Sequence, residues 1–441
     1  MKCVETQNSM AFEETQALAT QLMERICTKA NLNRAYKRVK ANKGAAGIDG
    51  MTVDDLLTHL KENKEKIIKS LLEGKYQPQA VKGIKIPKPN SEEYRLLGVP
   101  TVVDRVIQQA ILQTIEPILE PIFSESSYGF RPKRSAHQAL QKASSYVKDG
   151  YQYVVDIDLE QFFDRVNHDI LMSRLSQQIK DRRVLKVIGR FLRAGIMQNG
   201  IFSERMEGTP QGSPLSPLLS NVMLNELDRE LEKRNHKFCR YADDCNIYVR
   251  SQKAGESVMK SIQNFLWKRL KLKLNEKKSA VALVNERKFL GYRIGQLGEL
   301  DIAPQSLERM KTKIRQLTKR NRGTSLENVI ASVNRYLIGW QNYFKLSTRR
   351  SVFQEIGAWT RRRLRCYRLK QRKRSYPIAM FLIKLGIKAR NAWNLAKSNK
   401  GWWRLSLTPQ LNQAMSNQWF EDKKTLAQLR TKTLCLSAFR N

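Results

Sequence analysis

The stretch VVDIDLEQFFDRVNH, residues 154–168, places acidic residues inside an apolar run. The run indicates a β-strand, and a strand alternates its side chains, so Asp156 and Asp158 share one face. A carboxylate among Val and Ile side chains needs a cation or a hydrogen-bonding network. The stretch therefore predicts a strand that carries chemistry.

A second acidic site lies far along the chain, in FCRYADD at residues 238–244. Two short apolar runs flank YADD, which indicates a hairpin that presents Asp243 and Asp244. A capped turn is the alternative for an isolated Asp pair. Carboxylate oxygens suit Mg²⁺, whereas the set lacks the His and Cys ligands that zinc favours and the close spacing of a calcium loop.

The composition indicates a polyanionic partner. The 441 residues include 80 Lys and Arg against 41 Asp and Glu, a formal net charge of +39, with 41% hydrophobic residues as in a folded chain. Residues 301–441 hold 31 basic and 6 acidic side chains, and RRRLRCYRLKQRKR at 361–374 has no acid. Phosphate binding is favoured there over a solvated basic face or a localisation patch.

Nothing in the sequence indicates secretion or membrane insertion. The six cysteines are irregularly spaced without a C-x-x-C pair, which is typical of reduced thiols in a cytosolic protein. The first residues lack the apolar core of a signal peptide, and no long uncharged apolar stretch occurs. We expect a cytoplasmic protein, in the bacterial cytosol or nucleoid.

Periodicity predicts a strand-and-helix body that gives way to a helical end. The predicted helices cover residues 12–43, 52–72, 102–115, 307–317, 326–344 and 352–369. The predicted strands cover residues 84–89, 153–159 and 288–294, with a hairpin at 238–249.

Five blocks of the sequence resemble, in order, the reverse transcriptase and maturase encoded by bacterial group II introns. They are SYGFRPKRSAHQAL (127–140), VVDIDLEQFFDRVNH (154–168), GTPQGSPLSPLLSNVMLNELD (208–228), FCRYADD (238–244) and FLGYRI (289–294). The resemblance implies an α+β right-hand polymerase fold, with fingers and an antiparallel palm sheet, followed by an α-helical thumb and a basic helical C-terminal segment.

The domain boundaries follow from the same resemblance. We expect an N-terminal helical extension of the fingers at 1–76, fingers and palm at 77–300, a maturase thumb at 301–350, and a basic DNA-binding segment and tail at 351–441. Relatives with a C-terminal endonuclease carry cysteine pairs and histidines, and this chain has only Cys435 after Cys366. We expect no cleavage of the second DNA strand.

The resemblance implies the active-site residues. Asp158, Asp243 and Asp244 would be the catalytic metal ligands for two Mg²⁺ ions, with Mn²⁺ as a substitute. Asp156 would lie next to these ligands without binding metal itself. Phe163 would crowd a 2′-hydroxyl and favour dNTPs, with core packing as its alternative and as the expected role of Phe162.

Further residues would bind the incoming nucleotide. Gln211 and Gly212 match the segment beside the nucleotide and template base. Arg95 matches a triphosphate-binding cation, together with Lys85 or Lys88. Solvated strand-edge charges are the alternative for the two lysines, and the loop SEEYR before Arg95 is more acidic than is usual.

RYLIGWQNYFK, residues 335–345, resembles the maturase thumb, and its aromatic residues are expected in the thumb core. The implied partners are group II intron RNA, an RNA template with a DNA primer, target DNA and dNTPs; the oligomeric state stays open, a homodimer included. The expected nucleic-acid-binding residues are Arg131, Lys133, Arg335, Lys345, Arg349, Arg350, Arg361, Arg362 and Arg363.

Three functions stay open on the sequence. The first is an RNA-directed DNA polymerase that also assists splicing and retrohoming of its intron. The second is an RNA-binding splicing maturase or chaperone whose polymerase activity is not required. The third is a domesticated, intron-free reverse transcriptase in defence or DNA repair. The intact Asp158, Asp243 and Asp244 favour an active polymerase.

Overall fold

The computed structural model describes residues 21–87, 94–198 and 201–421. The chain forms two compact units, of which the first ends at Leu283 and the second begins at Val284. The expected functional boundary near residue 300 stays a prediction. None of the helices in the described ranges combines the length and apolar character needed to cross a membrane.

The first unit contains two four-stranded sheets. One has the order β2-β1-β4-β5 and the other the order β6-β7-β3-β8. The strands are β1 (Val81–Pro87), β2 (Tyr94–Val99), β3 (Tyr153–Ile157), β4 (Ile196–Gln198), β5 (Ile201–Ser203), β6 (Lys237–Tyr241), β7 (Asp244–Val249) and β8 (Ala280–Leu283).

Nine α-helices of this unit surround the sheets within the described residues. They are α1 (Leu22–Cys27), α2 (Lys29–Ala41), α3 (Leu56–Leu72), α4 (Val102–Leu119), α5 (Ala136–Lys148), α6 (His168–Gln178), α7 (Arg182–Arg193), α8 (Ser216–Lys233) and α9 (Gln252–Phe265). The predicted helix 12–43 begins outside the described residues, and its described part is interrupted at Thr28, whose side chain caps α2.

The sheet that contains β3 is antiparallel throughout, since β3 pairs with β7 on one side and β8 on the other. One face packs against α9, where Gly255 lies beside Val155, Val249 and Val281. Val155 is thus buried on the helix side, and strand alternation places Val154 and Asp156 on the other face. This is the antiparallel palm sheet that the sequence predicts.

The second unit begins with a small antiparallel sheet of order β11-β10-β9. Its strands are β9 (Lys288–Phe289), β10 (Tyr292–Ile294) and β11 (Leu300–Ile302). The prediction of one strand over 288–294 is wrong. Leu290 and Gly291 both have positive φ, 50° and 82°, and they turn the chain into a hairpin that pairs Phe289 with Tyr292.

From Pro304 to Glu421, the described remainder of the second unit is helical, as predicted. Its helices are α10 (Pro304–Leu317), α11 (Leu326–Tyr343), α12 (Ser351–Arg372), α13 (Ser375–Lys384), α14 (Ala389–Ala396), α15 (Trp402–Leu405), α16 (Pro409–Ala414) and α17 (Asn417–Glu421). The expected α+β class, with an antiparallel palm sheet followed by helices, is confirmed.

An aromatic cluster connects the hairpin to α11. The Phe344 ring lies 5.1 Å from Tyr292 and 4.8 Å from Trp340, between ring centroids. The Tyr292 hydroxyl donates to the Tyr343 carbonyl at 2.6 Å, and the Tyr343 hydroxyl donates to the Leu290 carbonyl at 2.8 Å. The FLGYRI and RYLIGWQNYFK segments therefore form one folded core.

Candidate active site

Asp158 follows the last residue of β3, and its backbone is fixed on both sides. Its N–H donates to the Ser279 hydroxyl at 3.0 Å, and its carbonyl accepts from the Asn275 N–H at 2.8 Å. The side chain is 33% exposed, with the Lys278 ammonium 3.9 Å from Oδ2. The carboxylate is thus held at a strand end and open to a ligand.

The YADD segment forms the turn between β6 and β7, in which Tyr241 pairs with Asp244. Ala242 is buried with a φ of 59°, and it starts the tight turn. Asp243 is half-buried and Asp244 is exposed. Because β3 and β7 are neighbours, with Ile157 opposite Cys245, this turn lies at the end of the sheet that also carries Asp158.

Electrostatics link Asp158 and Asp243 directly. Burial raises the pKa of the Asp243 carboxyl, and the negative charge of Asp158 raises that pKa further, while Arg95 and Arg240 lower it. A negative charge that opposes the ionisation of a nearby buried carboxyl group is the environment that a bound cation relieves. The structure therefore brings together three predicted site residues: Asp158, Asp243 and Arg95.

The donor set fits a hard divalent cation in its chemistry, since it consists of carboxylate oxygens beside a partly buried strand end. Within the described ranges, no group of three or more His, Cys, Asp or Glu side chains is assembled around one point. Asp156 lies further inside the sheet, opposite Asn246 and Ala280. The charge effect of Asp158 on Asp243 thus makes this pair the candidate centre of the site, and Asp244 follows Asp243 as the first residue of β7.

A buried arginine that sequence reasoning missed supports the YADD turn. Arg240 and Asp228 are both fully buried and form two hydrogen bonds, 2.7 and 2.5 Å long. The same guanidinium donates to the Asn221 side chain and to the Ala242 carbonyl, each at 2.9 Å. A charged residue inside the apolar pattern of FCRY was the available signal for this role.

The segment with Gln211 and Gly212 is fixed to β2. The Gly98 N–H donates to the Gln211 carbonyl at 2.9 Å. Gly212 has a φ of 110°, and a Cβ there would lie 3.1 Å from the Gly98 carbonyl oxygen, so a larger residue would be strained. The Thr209 N–H donates to the Phe163 carbonyl at 2.6 Å, which joins the segment to the loop after β3.

Phe163, Gln211 and Gly212 line one cavity of about 770 Å³, together with Arg38 and Arg105. Phe163 is half-buried, and its ring lies 5.3 Å from that of Phe162, between centroids. Phe162 is only 3% exposed and belongs to the core. Three of the residues that the sequence predicts beside the nucleotide thus lie in one cavity, whose walls include basic side chains.

The remaining predicted nucleotide contacts lie on the β1–β2 hairpin. Arg95 is exposed on β2, opposite Ile86 in register. Lys85 is exposed on β1, opposite Leu96. Lys88 and the SEEYR loop up to Glu93 lie outside the described residues.

Of the two nucleic-acid-binding residues predicted in the first unit, one is internal. Arg131 is 7% exposed, its guanidinium pairs with Glu120 at 2.8 Å, and it also donates to the Ser124 and Ser127 carbonyls. It therefore holds the loop of the SYGF segment together. Lys133 is exposed, with a φ of 59°.

The predicted basic residues of the second unit divide in the same way. Arg335, Lys345, Arg349 and Arg350 are exposed, whereas Arg361, Arg362 and Arg363 are half-buried on α12.

Two of the half-buried arginines have internal contacts. The Arg362 guanidinium lies 3.8 Å from the Trp403 ring centroid and donates to the Trp403 carbonyl at 3.2 Å. Arg363 donates to the Thr318 hydroxyl at 2.6 Å. Part of the basic run is thus structural.

Comparisons with known proteins agree with this architecture. A family model described as "Reverse transcriptase (RNA-dependent DNA polymerase)" matches residues 86–294, and one described as "Group II intron, maturase-specific domain" matches residues 307–380. Protein YkfC of Escherichia coli (strain K12) is 33% identical over 320 residues, which cover 63% of this chain and 84% of YkfC.

The "Group II intron-encoded protein LtrA" of Lactococcus lactis subsp. cremoris is 41% identical over 209 residues, which cover 47% of this chain and 34% of LtrA. Among solved structures, a chain of the "Partial Cas6-RT-Cas1--Cas2 complex" is 28% identical with a TM-score of 0.38, covering 56% of this chain and 42% of that chain.

The reverse transcriptase family model and the relative LtrA define the class as RNA-directed DNA polymerase. The chain belongs to the group II intron reverse transcriptase and maturase family. The resemblance drawn from the five sequence blocks is therefore confirmed.

Proposed function

We propose that this chain copies RNA into cDNA by metal-dependent nucleotidyl transfer, with Asp158 and Asp243 as the central metal ligands and Asp244 as the third. The observation that carries the proposal is the coupling of Asp158 and Asp243, where one carboxylate raises the pKa of the other. The family uses divalent metal ions, and two Mg²⁺ ions suit the carboxylate set, with Mn²⁺ as a substitute.

Divalent cations bound there would activate the primer 3′ oxygen and stabilise the leaving pyrophosphate. The chain's own residues supply the framework. Asn275 and Ser279 hold the backbone of Asp158, and Arg240 holds the carbonyl of Ala242, so both strand ends are fixed before substrate binds. Preorganised charge of this kind lowers the cost of reorganisation during the reaction.

The cavity lined by Phe163, Gln211 and Gly212 is proposed to receive the dNTP. Phe163 would contact the sugar and exclude a 2′-hydroxyl, while Gln211 and Gly212 would lie along the nucleotide. Arg95 would bind the triphosphate, since its charge already acts on Asp243. Lys88, with Lys85 as its alternative, is proposed to add a second cation from the same hairpin.

The second unit is proposed to bind intron RNA, the template with its primer, and target DNA. The maturase-specific match at 307–380 and the exposed Arg335, Lys345, Arg349 and Arg350 support this role. Splicing and retrohoming of a group II intron in the bacterial cytosol would follow. The thumb at 301–350 and the DNA-binding segment from 351 stay part of this proposal.

Primer extension on an RNA template with dNTPs and Mg²⁺ tests the proposal. Asp243→Ala should abolish extension at RNA-binding occupancy equal to that of the wild type. Asp54→Ala is the matched control, because Asp54 is an exposed carboxylate near the start of α3 and far from β3 in sequence. Absence of extension by folded, RNA-binding wild type would favour the splicing chaperone instead.

A further inference from the structure

A separate cavity of about 770 Å³ lies in the first unit, next to the strand end that carries Asp158. It is bounded by the C-terminal part of α9 and by the segment that follows it. Six of its lining residues carry the argument: Glu160, Lys260, Trp267, Lys273, Glu276 and Lys277. None of these residues has a role in the proposed polymerase site.

Trp267 is the aromatic element of this cavity. It lies in a π-helical turn, Leu266–Leu270, and turns of this kind occur often at functional sites. Its side chain is 50% exposed, although it is the largest apolar side chain in that turn. The Lys271 and Lys273 ammonium groups lie 5.9 and 5.2 Å from the ring centroid. An exposed indole beside cations is a stacking surface for a base.

The charge of the lining favours an anion. Glu160 pairs with Arg165 at 3.1 Å, which offsets its charge, whereas Glu276 accepts a hydrogen bond from the neutral Gln263 amide at 3.5 Å, which does not offset its charge. Lys260, Lys273 and Lys277 add three positive charges to the same walls. A phosphate is attracted to such a wall, whereas an apolar peptide would have to desolvate it.

The cavity wall is connected to the catalytic strand end through backbone hydrogen bonds. The Glu160 N–H donates to the Lys273 carbonyl at 2.9 Å, and the Asn275 N–H donates to the Asp158 carbonyl at 2.8 Å. Residues 273–275 therefore run directly beside residues 158–160. A ligand in this cavity would be held next to the polymerase site but outside it.

We propose that this cavity binds a nucleotide unit, with the base stacked on Trp267 and the phosphate bound by Lys273 and the neighbouring lysines. Its volume falls in the range of small-ligand sites. A free nucleotide and one residue of a single-stranded RNA present the same base and phosphate. The site is proposed in addition to the polymerase site, and it does not depend on polymerase activity.

Photocrosslinking followed by peptide mapping tests this site on the full chain. The two probes are 8-azido-dATP and a short single-stranded RNA that contains 5-iodouridine. Saturable crosslinks are expected in the peptide that spans residues 266–277. Trp267→Ala should lower the yield there roughly tenfold, since it removes the ring on which the base stacks. Lys273→Gln should lower it by a similar factor, because it removes a cation that binds the phosphate. Trp267→Phe should keep part of the yield.

Lys253→Gln is the matched control, because Lys253 is an exposed lysine at the other end of α9. Its crosslinking should equal that of the wild type. A crosslink from the nucleotide alone identifies a free nucleotide as the ligand, and one from the RNA identifies a strand. No saturable crosslink from either probe, or an equal loss in Lys253→Gln, would overturn the site.

The acidic-pair variant Asp243→Asn separates the two proposals. It should keep the crosslink at residues 266–277 even though it lacks polymerase activity. Loss of this crosslink in Asp243→Asn would show that the probe had bound through the polymerase site, and it would also overturn the separate site.

Discussion

The guanidinium of Arg240 makes two hydrogen bonds to Asp228, 2.7 and 2.5 Å long, at a place where both side chains are fully buried. The same guanidinium also donates to the carbonyl of Ala242 at 2.9 Å, one residue before Asp243. The position of the YADD turn thus depends on a buried ion pair between α8 and β6. This relationship makes Arg240 a positioning residue for the site.

Removing this ion pair should destabilise the first unit strongly. Arg240→Ala leaves Asp228 buried without a partner, and we expect a loss of about 3–5 kcal/mol in the free energy of unfolding. Urea denaturation measures it. Lys75→Ala, which removes an exposed pair with Glu73, should cause only a small loss, because solvent screens that pair. A loss of that small size in Arg240→Ala would contradict the role of the pair.

The conservative variant Arg240→Lys separates positioning from stability. A lysine keeps the charge but cannot donate to Asp228, Asn221 and the Ala242 carbonyl in the same planar geometry. We expect kcat for nucleotide incorporation to fall by roughly tenfold or more, with little change in KM for the dNTP. Steady-state kinetics at a temperature where the variant is folded provide the measurement. An unchanged kcat would argue against positioning.

The raised pKa of Asp243 predicts a stability effect with a definite sign. A carboxyl whose pKa is higher in the folded state binds protons more tightly there, so the free energy of unfolding decreases as pH rises above about 3.9 through the raised pKa. Asp243→Asn, which cannot ionise, should therefore raise the Tm of metal-free protein at pH 7.

Thermal melting in EDTA tests this effect. The gain in Asp243→Asn should disappear below about pH 3.9, where Asp243 is protonated in both states. The exposed Asp54→Asn should leave the Tm unchanged at both pH values. A lower Tm for Asp243→Asn at neutral pH would contradict the electrostatic description of the site.

The two adjacent phenylalanines should respond differently to truncation. Phe163→Ala opens the cavity wall, and we expect incorporation of rNTPs relative to dNTPs to rise by roughly tenfold. Phe162→Ala should instead cost about 3–5 kcal/mol of stability, because that ring is buried. Competition assays and urea denaturation measure the two effects. Unchanged sugar selectivity in Phe163→Ala would exclude the proposed contact.

Exposed and internal arginines of the second unit should differ in their effect on RNA binding. Arg349→Gln and Arg350→Gln should each lower the slope of log affinity against log salt by about 0.7–0.9. Arg363→Gln should mainly reduce stability, since its guanidinium donates to Thr318. Salt-dependent RNA-binding titrations distinguish the two. Equal salt slopes in all three variants would show that the exposed and internal arginines contribute alike to RNA binding, contrary to this prediction.

Much of the fold could be predicted from the sequence because its signals are local. The apolar run around Asp156 gave β3, and the helical periodicity beyond Pro304 gave the helical end. The hairpin at Leu290 and Gly291 was missed, since a short apolar run does not reveal two residues with positive φ. The role of Arg131 was also not readable, because its partners Glu120 and Ser124 are chosen by tertiary packing.

The sequence indicates candidate acids, whose role as metal ligands stays a prediction, but it does not indicate the residues that support them. Asp158 and Asp243 stand out because each lies directly beside an apolar run, where an uncompensated charge is costly. Asp228 lies in a helical pattern where an acid is ordinary, and only the fold shows that it is buried beneath Arg240. Long-range partners of this kind have no signal in periodicity.

Asp158 and Asp243 are proposed to act as one metal-dependent site. The most direct test is a double-mutant cycle on single-nucleotide incorporation, with Asp158→Asn, Asp243→Asn and the double variant at saturating primer and template. Each single variant should lose roughly a thousandfold or more in rate, and the double variant should lose little beyond that, because residues that act as a unit are not additive. If the two losses in rate multiply in the double variant, the acids have independent roles and do not form one metal-dependent site.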